Sequence, residues 1–433
     1  MPDLKVSHQE VQFEKRGMTL AEKILARASG QKEVVPGQYV TAEIDLCMAH
    51  EGLAAVFMNM ARAGWSKVWD PSRIVSVLDH YVPAPTERSA EVHKVVRTAV
   101  KQWGIQHFYG ERAGICHQIL PEKGHVLPGM LIVGTDSHTT TYGAFGAAGT
   151  GIGFTDMAYV FATGKLWFKV PETIRFSLKG KLPERVMSKD ILLYLAGKYS
   201  AEAAQYKAVE FVGPLAEEMS LASRMTMSNM AVEIGAKFGF FVPDRKVSDF
   251  LEGRARKPFS LVTPDPDARY EAVYEIDVSS LEPQIAFPFS VDNVRPVSGA
   301  KDIKIHQAFI GSCTNGRLED LHTAAGILRG KKVHPEVRLL VIPASWEIYR
   351  QAMKDGTLDT LIEAGAVIGN SSCGPCFGAD MGLLGSDENC IAAINRNFKG
   401  RMGSQKAQVF LASPATVAAS ALEGKITDPR NYL

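Results

Sequence analysis

Cys373 and Cys376 stand three apart in Asn370-Ser371-Ser372-Cys373-Gly374-Pro375-Cys376, and Cys313 sits sixty residues upstream in Ile310-Gly311-Ser312-Cys313-Thr314-Asn315. Gly374 and Pro375 allow a tight turn between the paired thiols. Three thiols on two turns rich in glycine and serine suit a metal centre whose protein ligand set is incomplete. A structural zinc site normally takes four ligands, often as two paired knuckles. A fully ligated electron-transfer cluster takes four cysteines. Three thiolates on a [4Fe–4S] cluster leave one iron open. Such an iron is a Lewis acid, able to bind a hydroxyl or carboxylate oxygen and make hydroxide a better leaving group. Zinc stays as a rival at this point.

Acid–base groups accompany the thiols. Asp79-His80, His117 and Asp136-Ser137-His138 offer imidazoles that carboxylates can orient. A carboxylate on one ring nitrogen fixes the tautomer and favours the protonated form, which makes a proton donor. Arg396 and Arg401 flank Asn397 in Asn395-Arg396-Asn397-Phe398-Lys399-Gly400-Arg401, where forked hydrogen bonds to a carboxylate are available. Asn229 and Glu233 are four apart on a helix read from about Ser220 to Gly235, so they share a face. Met225 and Met227 on that helix read as core. His8, His93, His125 and His322 read as ordinary core or surface histidines, Cys47 and Cys390 as buried thiols. Cys116 is ambiguous because it neighbours His117.

The elements that must position these groups alternate between strand and helix. Thr19-Leu20-Ala21-Glu22 is a capping box, and Gly30 closes its helix. The alternating run Val40, Ala42, Ile44, Leu46 predicts a strand that leads to His50-Glu51. Ile74 to Leu78 predicts a strand running into Asp79-His80, and Met130 to Val133 one running into Asp136-Ser137-His138. Between them, Thr86 starts a helix that Gly104 ends. This alternation predicts a mainly parallel sheet covered by helices, with ligands beyond the carboxyl ends of the strands. The glycine-rich stretch Gly143 to Gly153 lacks a clean dinucleotide-binding spacing and reads as a close-packed turn. A strand is expected over Thr173 to Leu178, a loop over 263–270 and a linker from Asp292 to Ser298. Five apolar runs then alternate with helices: 303–310, 338–342, 366–369, 390–394 and 408–411. If parallel, they put all three cysteines and Asn395-Arg396-Asn397 on one rim. Ser413-Pro414 reads as a helix start. The expected class is α/β, in three units: 1–170 with the His/Asp motifs, 171–291 with Asn229 and Glu233, and 292–433 with the cysteines.

Composition narrows the function. The chain has 433 residues, 46% hydrophobic, with a formal net charge of +1. A dedicated nucleic-acid binder normally carries a basic excess, so no nucleic-acid partner is expected. No apolar run reaches the roughly 18–20 residues of a membrane span, and Met1-Pro2-Asp3-Leu4-Lys5-Val6-Ser7-His8 lacks a signal-peptide pattern. A cytoplasmic setting without membrane contact follows, where six cysteines are thiols rather than disulfides.

The motifs taken together resemble the aconitase superfamily, and within it the large subunits of the two-subunit 3-isopropylmalate dehydratases. The carriers are Val77-Leu78-Asp79-His80, Gly114-Ile115-Cys116-His117, Gly134-Thr135-Asp136-Ser137-His138-Thr139 and Asn229-Met230-Ala231-Val232-Glu233-Ile234-Gly235. Gly311-Ser312-Cys313-Thr314-Asn315-Gly316-Arg317, Ser372-Cys373-Gly374-Pro375-Cys376 and Asn395-Arg396-Asn397-Phe398 complete them in the family's order. The resemblance implies three packed α/β/α domains around a [4Fe–4S] cluster with one open, labile iron, held by Cys313, Cys373 and Cys376. It implies three carboxylate–imidazole pairs: Asp79 with His80, Asp136 with His117, and Glu233 with His138. His80 would protonate the departing hydroxyl, and Ser137, Asn229, Asn395, Arg396 and Arg401 match positions near cluster or substrate. The family's fourth, swivelling domain, which carries the serine base, has no counterpart before Leu433, so a separate small subunit is expected as partner. The stretch after His50-Glu51 reads Gly52-Leu53-Ala54-Ala55, poorer in polar residues than the family, which weighs against substrate contacts from it. The implied activity is a hydro-lyase on a 2-hydroxy di- or tricarboxylic acid, isomerising 2- and 3-isopropylmalate in leucine biosynthesis. Homoaconitase, 2,3-dimethylmalate dehydratase and citramalate or maleate hydratase are the alternatives. An RNA-binding regulator, as some single-chain relatives become on losing the cluster, is a rival of another class.

Overall fold

The computed structural model describes residues 16–300 and 302–432. The segment Met1 to His8, and with it His8, lies outside the described residues. Three sheets of mainly parallel strands, each flanked by helices, organise the chain.

The first sheet has five strands in the order His107–Tyr109, Ile74–Val77, Leu46–Ala49, Leu131–Gly134, Ala148–Gly151, all parallel. Its central strand, Leu46–Ala49, is buried along its whole length, as helices on both faces require. The alternating run expected as one strand divides in two. Tyr39–Glu43 keeps the alternation, burying every second residue, but pairs antiparallel with Lys165–Lys169 in a separate ribbon. Leu46 instead opens the fully buried strand. A period-two run and a solid apolar run answer different surroundings, and Asp45 sits at the break.

The second sheet orders Phe238–Phe241, Ala208–Val212, Thr173–Lys179 and Ala272–Asp277, all parallel. The third has seven strands. Its five-strand parallel body runs Gln408–Leu411, Asn389–Ala392, Gln307–Ile310, Arg338–Val341, Val367–Ile368. These are the five expected runs. The stretch read as a linker is partly a strand: Val294–Pro296 pairs antiparallel with Gln284–Ala286, which borders Gln408–Leu411. Three residues between a proline and loop-forming polar residues carry too little pattern to announce an edge strand.

The predicted capping box at Thr19 is present, with Gly30 left-handed at the far end of Leu20–Ser29. The helix Glu87–Trp103 starts on Thr86 and stops at Gly104. Pro414–Glu423 follows Ser413, whose hydroxyl faces Thr416 Oγ1 at 3.2 Å and makes no capping bond to the backbone. The glycine-rich stretch is close packing: a Cβ on Gly143 would lie 1.8 Å from the Gly239 carbonyl oxygen, and one on Gly149 2.2 Å from that of Thr139. Residues 263–270 are loop, and Met225 and Met227 are core. Among the described residues no helix is long and apolar enough to cross a membrane.

The sheets meet through backbone contacts. The Cys373 amide donates to the Asp79 carbonyl at 2.8 Å, and the Ile115 amide to that of Ala344 at 2.9 Å. Thr226 Oγ1 reaches the Thr314 carbonyl at 2.9 Å. The junction of the three sheets is therefore also where the strand-end motifs face one another.

Candidate active site

Every strand-end motif opens on the same side. His50-Glu51 follows Leu46–Ala49, Asp79-His80 follows Ile74–Val77, and Asp136 to His138 follow Leu131–Gly134. Cys313, Cys373 with Cys376, and Asn395 to Asn397 follow Gln307–Ile310, Val367–Ile368 and Asn389–Ala392 in turn. Between them lies a cleft of about 580 Å³ with His50, His80, Asp136, His138, Phe377, Arg396 and Arg401 in its walls.

The imidazoles are held by carboxylates. His80 Nδ1 donates to Asp79 Oδ1 at 2.7 Å, and the other Asp79 oxygen accepts the Cys116 amide at 2.7 Å. A carboxylate only accepts here, so Nδ1 carries hydrogen and Nε2 is the atom directed at Asp136 Oδ2, 3.4 Å away. His117 Nε2 meets Asp136 Oδ1 at 2.8 Å, and His138 Nε2 meets Glu233 Oε1 at 2.7 Å. Burial alone would lower the His80 pKa; the charge of Cys373 when ionised, with Asp79 and Asp136, outweighs it and moves the pKa well above the usual histidine value. His117 goes the other way: burial lowers it more than Asp136 restores. Burial raises Asp136, but hydrogen bonds from His117, His138 and His80 win and leave it well below the carboxylate range. The two rings are thus pushed in opposite directions, His80 towards its protonated form and His117 towards its neutral one.

The basic groups differ in engagement. Arg396 Nε lies 2.8 Å from Glu233 Oε1, and its Nη1 donates to Ser137 Oγ at 3.0 Å. Arg401 lines the cleft with its Nε buried and unpartnered, the guanidinium 5.7 Å from the Phe377 ring. Phe377 in turn stands edge-on to His80 at 5.3 Å. A buried guanidinium edge without an acceptor suits a carboxylate ligand.

The three expected thiols are all buried and free of disulfides. Asn229 Nδ2 points at Cys313 Sγ from 3.2 Å, and Asn395 Nδ2 from 3.4 Å. Cys376 Sγ faces Asn395 Oδ1 at 3.6 Å. Burial, with Asp136 and Cys376, pushes the Cys313 thiol up to about 12, and burial pushes Cys373 well above its usual value despite His80. A cation beside Cys313 and Cys373 would favour their ionised forms, and two amide donors already aim at the Cys313 sulfur. The donor set fits a sulfur-ligated metal centre. Backbone geometry shapes the cradle: Ser312 takes φ +67° just before Cys313, and Gly374 takes φ +55°.

Two residues that sequence reasoning passed over join the site. Glu51 Oε1 accepts the Asp79 and His80 amides at 2.9 and 3.0 Å. Its carboxylate also faces His50 Nδ1 at 3.5 Å and His93 Nε2 at 3.6 Å. The His50 ring lies tilted against that of His80, with ring centres 4.4 Å apart, and lines the cleft. The strand-end position of His50-Glu51 was the available signal. His93, expected to be an ordinary core residue, is buried beneath Glu51. His125 bonds Tyr109 and His322 bonds Asp355, both away from the cleft. Cys47, Cys116 and Cys390 are buried thiols.

Known proteins share this sequence over most of its length. The Aconitase family (aconitate hydratase) matches residues 19–302 and 297–424. The 3-isopropylmalate dehydratase large subunit 1 of Methanopyrus kandleri is 55% identical over 418 residues, covering 96% of this chain and 100% of the relative. The 3-isopropylmalate dehydratase large subunit of Aquifex aeolicus is 51% identical, covering 95% and 97%. The probable methanogen homoaconitase large subunit of Methanothermobacter thermautotrophicus is 49% identical, covering 95% and 98%. On the family match and on identities of this size over nearly the whole sequence, the chain belongs to the aconitase family.

Proposed function

We propose that this chain is the large subunit of a 3-isopropylmalate dehydratase, a hydro-lyase that interconverts 2- and 3-isopropylmalate through the alkene and works with a separate small subunit. One observation carries the chemistry: a carboxylate-held, proton-rich His80 and an unpartnered Arg401 share a cleft beside three buried thiols. The names of the relatives supply the substrate and the subunit arrangement.

Cys313, Cys373 and Cys376 would hold a [4Fe–4S] cluster with one open, labile iron. When bound, such a cluster supplies a Lewis acid that makes hydroxide a better leaving group. The chain's own residues do the rest. Asp79 fixes His80 so that Nε2 presents its proton toward the cleft, where it passes to the departing hydroxyl oxygen. Asp136 and Glu233 hold His117 and His138 through the other ring nitrogen, Nε2. Arg401 binds a substrate carboxylate, while Glu233 and Ser137 keep Arg396 turned to the cleft. Asn229 and Asn395 steady the Cys313 sulfur. The base that removes the carbon-bound proton belongs to the swivelling domain of the small subunit.

The test is anaerobic reconstitution with iron and sulfide, with the small subunit present, following absorbance of the conjugated alkene from 3-isopropylmalate. Turnover that vanishes in Cys373→Ser is the expected result. No turnover of any such acid with cluster and partner in place would refute the reading. Homoaconitase is the second reading, because a homoaconitase large subunit stands at 49% identity. Turnover of homocitrate in place of isopropylmalate would select it.

A further inference from the structure

Lys189 is completely buried, on the first turn of the helix Ser188–Tyr199. Both facts disfavour a cation. An ammonium loses its hydration on burial, and the amino end of a helix carries partial positive charge. The neighbouring carboxylates are engaged elsewhere. Asp190 accepts the Met187 and Gln284 amides at 2.8 and 2.9 Å. Asp320 accepts from the Arg317 amide and Asn315 Nδ2, each at 3.0 Å. Among the described residues, the hydrogen bond Lys189 makes is to the Ile394 carbonyl, at 2.5 Å. Burial acts against its charge most strongly; Asp320 and Asp190 oppose that, as Cys376 and Cys313 would once ionised.

Ile394 precedes the residues that matter most on its strand end. Asn395 Nδ2 reaches Asn229 Oδ1 at 3.2 Å and Cys313 Sγ at 3.4 Å, and Arg396 runs on to Glu233 and Ser137. An apolar side chain of equal length would fill the space of Lys189 without the cost of a buried charge. A cation belongs there when negative charge gathers beside it.

We propose that Lys189 is a positioning residue of the thiol site: its ammonium anchors the Ile394–Arg396 turn and compensates the negative charge of a cluster on Cys313, Cys373 and Cys376. This rests on the cluster reading given above. Each of the two functions has its own variant. Lys189→Met removes donor and charge, Lys189→Gln keeps an N–H donor and drops the charge, and Lys189→Arg keeps both.

The experiment loads each full-length chain anaerobically with iron and sulfide. It then measures iron and sulfide per chain, the rate of iron loss to a chelator, the midpoint potential of the reduced cluster by electron paramagnetic resonance, and KM and kcat with the small subunit. In the Met variant the metal-free chain should melt no lower than wild type, while the loaded chain loses iron about 10–100-fold faster and its potential falls. The Gln variant should share the fall in potential with KM near wild type, and the Arg variant should restore the potential. Wild-type iron retention and potential in both the Met and Gln variants would overturn the inference, as would a Met variant whose only defect is a lower melting temperature. A Met variant that does not fold leaves the Gln variant to decide on potential. A wild-type chain that takes up neither iron nor sulfide overturns the cluster reading, and the inference with it.

Discussion

His80 shows how much of this site depends on what surrounds a single ring. Asp79 holds one nitrogen at 2.7 Å, Glu51 holds the backbone amides of both residues, and Phe377 closes one edge. If this ring supplies the proton, His80→Gln should lower kcat by roughly 10²–10⁴-fold and leave iron and sulfide per chain unchanged; a loss confined to KM would remove His80 from the proton transfer. Glu51 makes a separate prediction. Burial works to raise its pKa, but His50, His80 and His93 outweigh burial and hold the carboxyl well below the usual range. A folded pKa below the unfolded one gives stability that is full above the unfolded value, about 4.3, and lost as pH falls toward the folded value. The melting temperature of the metal-free chain should therefore drop below about pH 4.3, and Glu51→Gln should flatten that limb. Equal acid slopes in the two chains would show that Glu51 has no part in it. Asp79-His80 was legible as adjacent residues at a strand end. The convergence of His80 and His93 on Glu51 was not, because those contacts cross long sequence separations and no local pattern encodes them.

Among the elements, the strands whose apolar runs stop abruptly at polar or thiol residues were the readable part. The five runs of the last third became the parallel body of one sheet, with Cys313, the Cys373–Cys376 turn and Asn395 at their carboxyl ends. Elements made by pairing rather than by pattern were not readable. Val294–Pro296 exists because Gln284–Ala286 lies beside it, and Tyr39–Glu43 left the main sheet to pair with Lys165–Lys169. Glycine illustrates the same divide. The run from Gly143 to Gly153 was read as close packing from its spacing, and the structure supplies the partner: the 3-10 segment Ser137–Phe145 lies against Phe238–Phe241 with Gly143 at the contact. A methyl group there meets backbone, which cannot rotate away. Gly143→Ala should therefore cost about 1–3 kcal/mol or more and displace His138, the second residue of the same segment. Thermal melting and turnover measure the two effects. A variant as stable and active as wild type would mean that the two elements separate more easily than their contact suggests.

For the whole molecule, we propose three domains, each on its own sheet, that meet at the cleft and leave it open on one side for the small subunit. Exposed apolar side chains support this. Phe377 lines the cleft and Phe398 lies 5.9 Å from the guanidinium of Arg396, which also lines it; Met381 and Leu383 follow Phe377 in the chain, and all four are 44–48% exposed. Exposed apolar side chains in and after the wall of a polar site are expected where a partner closes it. Cys313, Cys373 and Cys376 themselves are buried, so a change at these exposed side chains reaches a partner before it reaches the thiols. Met381→Lys together with Leu383→Glu should weaken binding of the small subunit by about 2 kcal/mol or more, roughly 30-fold in Kd. The large subunit alone should keep its melting temperature and its capacity for iron and sulfide. Turnover should recover when the small subunit is raised well above the new Kd, because the change acts on association and not on His80 or Arg401. Unaltered Kd with lost turnover would place these side chains in the reaction itself; unaltered Kd and unaltered turnover would move the docking face elsewhere on the three-domain body.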